Sequence, residues 1–298
     1  MKNRNFYFGI TALTFSCLLV SCGGEDTDNN NEVNNVVLDT LENLESNNSS
    51  GVHYSVPTPN ELFEIVKLQG GKKESGLVNP LENRENYVET KEKALAFGVY
   101  SADLAYMSCF GVGTEFLKYM KTIEEMGDEL GISGAFDEDL MDRIENNEGD
   151  TDSLFAISNE TYYDSYLYLE ENEKGTELSL IMGGGYIESL YIICNLVDKY
   201  KEGDPIIEKI GDQKLVLENL LEFVSKYQDD QAVQEMINDL ISLKEVFEIS
   251  MEFKESETNV EKSNGKLVLS GGGSYKMTEQ ALKDITAKVT ELRENIIN

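Results

Sequence analysis

From residue 57 onward, apolar side chains recur mainly at intervals of three and four, the spacing that lines one face of an α-helix. Pro57-Thr58-Pro59 reads as a stop followed by a helix start, with Thr58 as N-cap, Pro59 at the first helical position and Leu62, Phe63, Ile65 and Val66 as the apolar face. The same spacing predicts helices over Tyr87 to Cys109 and Glu115 to Leu130. Asp137 is expected to cap a short helix carrying Leu140, Met141 and Ile144, and Asp150 or Asp152 to cap one carrying Leu154, Phe155, Ile157, Tyr162, Tyr166 and Leu169. Asp204-Pro205 opens the next helix, through Leu215 and Leu221 to Tyr227, and Val233 to Phe253 and Thr278 to Ile297 complete the series.

One segment departs from this amphipathic pattern. Glu177 to Lys201 is apolar nearly all round, as a membrane span or a buried bundle helix would be, and Gly183-Gly184-Gly185 and Glu188 in its middle favour the buried helix. The glycines predict a kink or a close helix crossing. Strand-like alternation is nearly absent, with Leu267-Val268-Leu269, before the expected flexible turn Gly271-Gly272-Gly273, the one short extended piece. The fold class is therefore all-α, a bundle or irregular array of about eight to nine helices. Gly98-Val99-Tyr100-Ser101-Ala102-Asp103-Leu104 and Gly184-Gly185-Tyr186-Ile187-Glu188-Ser189-Leu190 share G-x-Y-x-x-x-L, and this echo raises the alternative of two related halves.

Ahead of the helices lies a different kind of sequence. Lys2 and Arg4, the apolar run Phe6 to Val20 and Leu19-Val20-Ser21-Cys22 describe a lipoprotein signal peptide over 1–21, with cleavage before Cys22 and acyl chains on that cysteine. Residues 22–56 are mainly Asn, Asp, Glu, Ser and Gly, a composition too polar to offset chain entropy by burial, and so form an acidic tether spanning about 30 Å or more. The all-α globular domain is then 57–298. Glu25-Asp26 and Asp28, close behind the lipidated cysteine, look like an acidic export signal. The expected address is the cell envelope, lipid-anchored at the outer membrane, with surface exposure as one orientation and the periplasmic face as the other.

Charge narrows the partners. The full chain has 25 Lys+Arg against 56 Asp+Glu, and removal of 1–21 leaves 23 against 56, a formal charge of −33. Such a field repels phosphate backbones and anionic headgroups, which excludes nucleic acid and leaves the lipid to hold the chain on its membrane. The same acidity suits a basic envelope protein or weak calcium. The only histidine, His53, falls in the tether, so a triad hydrolase or a His/Cys zinc site lacks its imidazole; no metal or cofactor is expected. Neither Gly triplet has the Gly-Lys-Ser/Thr of a phosphate loop. Asn146 to Asp152 has the oxygen density of a calcium loop without its D-x-D-x-D-G order, and reads as a capped turn. Cys109 and Cys194 are either buried thiols or an envelope disulfide.

Two acids stand out because their neighbours are apolar: Asp103 and Glu188. Burying a carboxylate is costly without a cation or several donors. Either they pair with the scarce arginines, Arg143 and Arg293, or they face a cleft lined by Tyr100, Asp103, Tyr186, Glu188 and Tyr191. The leading functional reading is a non-enzymatic binding or interaction module; the alternatives are a histidine-independent hydrolase using Asp103 and Glu188, and a structural spacer.

Three strings, Phe97 to Tyr106, Leu130 to Asp137 with Arg143, and Gly183 to Tyr191, together resemble a family of helical lipoproteins of the Bacteroidota, over a stretch from Pro57 to Glu291-Leu292-Arg293. The resemblance implies an envelope lipoprotein with an α-helical domain, and carries over no catalytic residue.

Overall fold

The computed structural model describes residues 58–68, 74, 76–110, 114–136, 139–147, 150–254, 259–263, 266–270 and 274–298, with side chains described outside 253–274. The expected signal peptide, Cys22, the expected tether with His53 and the expected turn at Gly271–Gly273 lie outside the described residues. The described chain is all-α: α1 (Pro59–Leu68), α2 (Thr90–Ser108), α3 (Thr114–Leu130), α4 (Leu140–Asn146), α5 (Thr151–Glu171), α6 (Gly175–Asn195), α7 (Pro205–Val224), α8 (Gln231–Ser250) and α9 (Glu279–Ile297), with a short 3-10 turn at Leu81–Asn86. None of these helices is long and apolar enough to cross a membrane.

Local chemistry sets the helix starts. Asp150, Asp204 and Asp230 each accept backbone N–H bonds from the first turn of α5, α7 and α8, and Pro205 sits at the first position of α7. Thr58 Oγ1 accepts from the Glu61 N–H at 3.4 Å and donates to Asn159 Oδ1 at 2.8 Å, so the cap of α1 also ties it to α5. At α2, Glu89 and Glu92 form a reciprocal capping box. Asp137 is outside the described residues; Asp139 occupies the cap position of α4, without a side-chain bond.

α6 is the axis of the fold. It is buried from Leu178 to Cys194 apart from Tyr186 and Tyr191, and packs against α1, α2, α5, α7, α8 and α9. Its glycines let its backbone approach that of α2 closely. A Cβ on Gly98 would lie 2.0 Å from the Ile181 carbonyl oxygen, and one on Gly184 would lie 2.1 Å from that of Leu95. The two G-x-Y-x-x-x-L runs thus meet at their glycines, backbone against backbone. Burial of large side chains on both sides, Tyr100, Tyr106, Met107 and Leu178 among them, contributes about 1.5–3 kcal/mol each.

The expectation of one extended piece is corrected. β1 (Glu252–Lys254) pairs antiparallel with β4 (Ser274–Lys276), and β2 (Asn259–Ser263) with β3 (Lys266–Ser270), in the register Glu252↔Lys276 and Asn259↔Ser270. The helix expected to reach Phe253 stops at Ser250, where Met251 turns extended, because pairing with a strand 22 residues on takes over the backbone bonds.

Candidate functional site

The two conspicuous acids come together in the core. Asp103 on α2 and Glu188 on α6 are fully buried and close enough for each carboxyl to shift the titration of the other. Arg293 reaches them from α9. Its Nε donates to Glu188 Oε2 at 2.6 Å and its Nη2 to Glu188 Oε1 at 2.9 Å, a bidentate fork, while the guanidinium carbon lies 4.1 Å from the centre of the Tyr191 ring. Arg143, the other arginine expected to serve, pairs instead with Glu160 at the surface.

One cation faces two carboxyls, so their protonation follows from position. Burial pushes both upward. At Glu188 the guanidinium opposes that push, whereas at Asp103 the Glu188 charge adds to it and holds Asp103 well above the usual carboxylate range. Asp103 is therefore the member of the pair that holds a proton more tightly. The hydrogen-bond pattern agrees: Asp103 Oδ2 accepts from the Asn79 N–H at 2.9 Å, and Oδ1 has no hydrogen-bond partner among the described residues when the group is a carboxylate. As a carboxylate, Oδ1 would be an unsatisfied buried acceptor; as a hydroxyl it donates to Glu188.

What this cluster holds is an irregular strap of backbone. Arg293 Nη2 donates to the Leu77 carbonyl at 2.9 Å, Asp103 takes the Asn79 N–H, Tyr119 donates to the Asn79 carbonyl at 2.6 Å and Tyr100 to the Pro80 carbonyl at 3.0 Å. The Asn79 side chain, itself fully buried, donates to the Tyr87 hydroxyl at 3.0 Å and accepts from Asn83 at 2.8 Å. A stretch with no helix or sheet partner is thereby satisfied group by group, as buried backbone must be. Asn79, Tyr87 and Tyr119 belong to this site and do not stand out in the sequence: Asn79 and Tyr87 lie in a mostly polar stretch, and Tyr119 is one of the fifteen tyrosines of the chain.

The expected tyrosine-lined cleft is divided. Tyr100 is buried under the strap and Tyr191 stacks on Arg293, whereas Tyr186 points elsewhere, donating to the Gln213 carbonyl at 2.9 Å across the α6–α7 interface. Cys109 and Cys194 are free, buried thiols, each pushed up to about 12 by burial, so the disulfide alternative is not realised. Asp150, at the end of the oxygen-rich loop, caps α5, and Asp152 pairs with Lys67.

The shared proton has a measurable consequence. In the folded chain Asp103 keeps its proton where the unfolded chain has lost it, so its contribution is complete below the ordinary carboxylate range and disappears as pH rises through its raised value. Wild-type stability is expected to fall by up to about 1.4 kcal/mol per pH unit over that window. Asp103→Asn preserves both hydrogen bonds without a titrating proton. Its urea midpoint should lie closest to wild type below about pH 4 and exceed it increasingly toward about pH 8.5. Parallel profiles would show that Asp103 is ionised.

No protein-family model, curated protein or solved structure matches the chain.

Proposed function

We propose that this chain is a lipid-anchored module of the bacterial envelope that binds rather than transforms, carried on an acidic tether from Cys22 at the outer membrane and related to the helical lipoproteins of the Bacteroidota. The observation that carries the non-enzymatic part is the sealing of Asp103 and Glu188. A glycosidic pair stands about 5–9.5 Å apart on either side of a substrate. Here the two carboxyls are side by side, have no exposure, and are committed to Arg293 and the Leu77–Pro80 strap. They support the fold, which leaves binding as the role of the surface around it.

The anchoring part rests on the Leu19-Val20-Ser21-Cys22 string and on the acidity of the chain, which disfavours adsorption to anionic lipid. Cells labelled with an alkyne fatty acid are expected to yield tagged wild-type protein in the membrane fraction, and untagged, membrane-free Cys22→Ser protein of unchanged melting temperature. An unmodified sulfhydryl at position 22, or Cys22→Ser protein still wholly membrane-bound, would overturn the anchor.

A further inference from the structure

Away from the acid–arginine cluster, α1, α5, α6 and α7 line a recess of about 90 Å³ that opens to solvent. Gly185 and Ser189 of α6 lie along it, the Ser189 hydroxyl donating to the Gly185 carbonyl at 2.7 Å. Leu62, Met182 and Leu220 supply apolar wall. Most of the polar groups here are satisfied internally: Tyr186 donates to the Gln213 carbonyl, and the Gln213 amide to the Lys209 carbonyl at 3.2 Å.

Two charged groups keep capacity to spare. The Glu61 carboxylate and the Lys209 ammonium both line the cavity and both reach solvent. Glu61 takes one bond, from the Thr58 backbone N–H, and neither charge has an ion-pair partner among the described residues. They feel each other's charge without touching, so a gap remains between an anion and a cation at the rim of one apolar recess. Tyr162 lines the same space with a hydroxyl that has no hydrogen-bond partner among the described residues.

We infer that this recess is a binding site for a small zwitterion of the free α-amino acid class, with its carboxylate on Lys209, its ammonium on Glu61 and a short aliphatic side chain between Leu62, Met182 and Leu220. The site rests on the binding-module reading and gives it a ligand. Size limits the choice: an apolar cavity of roughly 150 Å³ accepts benzene, so this one accepts a group of about four carbons, with the charged ends left at the mouth. A ligand with one charge leaves either Glu61 or Lys209 unanswered, and a peptide separates its two charges too far to answer both.

The test uses the intact lipoprotein in detergent, titrated calorimetrically with alanine, valine and leucine and, as controls, with propionate, butylamine, trialanine and N-acetylvaline amide. Saturable binding of at least one amino acid is expected, with the controls silent. Lys209→Met and Glu61→Gln, which keep side-chain length and leave the core untouched, should each weaken it by about tenfold or more. No binding at about 10 mM, equal binding of N-acetylvaline amide or trialanine, or affinity unchanged in both variants would overturn the site. Chromatography of the ligand afterwards separates the two readings. Amino acid recovered unchanged supports the module; a converted amino acid overturns the non-enzymatic reading while leaving the site in place, and absent binding overturns the site without touching the result at Cys22.

Discussion

Arg293→Met is expected to destabilise the domain by about 3–5 kcal/mol, the usual cost of removing one partner from a buried ion pair. The variant leaves Glu188 with full burial, a protonated neighbour and no cation, and strips the Leu77 carbonyl of its donor. For a domain of this size the melting temperature should drop by about 10 °C or more. The loss should also depend on pH, with a definite sign. Without the guanidinium, burial raises the folded-state value of Glu188 unopposed, so the folded variant takes up a proton that the unfolded chain lacks at neutral pH, and its stability recovers as pH falls. Adding Glu188→Met should return much of the deficit, since the penalty belongs to the orphaned charge and not to the missing contacts. Chemical denaturation of the single and double variants at two pH values checks both points; additive losses would show that Arg293 acts through packing alone.

Gly184→Ala should be nearly as damaging, for a reason that involves no charge. The added methyl meets the Leu95 carbonyl oxygen at 2.1 Å, and a backbone atom inside a packed helix has nowhere to go. The α2–α6 crossing must open, at about 3 kcal/mol, and Gly98→Ala should behave alike because its methyl would lie 2.0 Å from the Ile181 oxygen. Gly211 on α7 provides the contrast. The nearest atom to a Cβ there is the end of Met251, at 3.3 Å, which can move, so Gly211→Ala should be neutral or gain up to about 1 kcal/mol from helix propensity. Equal effects at Gly184 and Gly211 would dispose of the crossing as the explanation.

Much of this architecture is legible in the residue pattern alone. Thr58-Pro59 and Asp204-Pro205 announce helix starts because capping is local chemistry, readable within four residues. The all-round apolarity of Glu177 to Lys201 marks the central helix, and the glycines in it mark the crossing. Asp103 and Glu188 are conspicuous for being charged where charge is expensive. Their assembly is another matter. The bonds that define it connect Asn79 to Asp103, Asn79 to Tyr119 and Leu77 to Arg293, across 24, 40 and 216 residues, and no periodicity reports a contact of that range. The same is true of β1 and β4, whose three-residue strands have no signal apart from each other. The cavity beside Lys209 is built from four helices, and its shape is a property of their packing, invisible in any one of them.

Arg293 bonds to Glu188 across 105 residues and to Leu77 across 216, so α9 fastens both the middle of the chain and the strap that precedes α2. Assembly therefore has a latch. Until α9 docks, Glu188 has no counter-charge and the strap lacks one of its donors, so the interior cannot close around them. Folding is therefore expected to follow the pace of that long-range closure and not the microsecond pace of the individual helices.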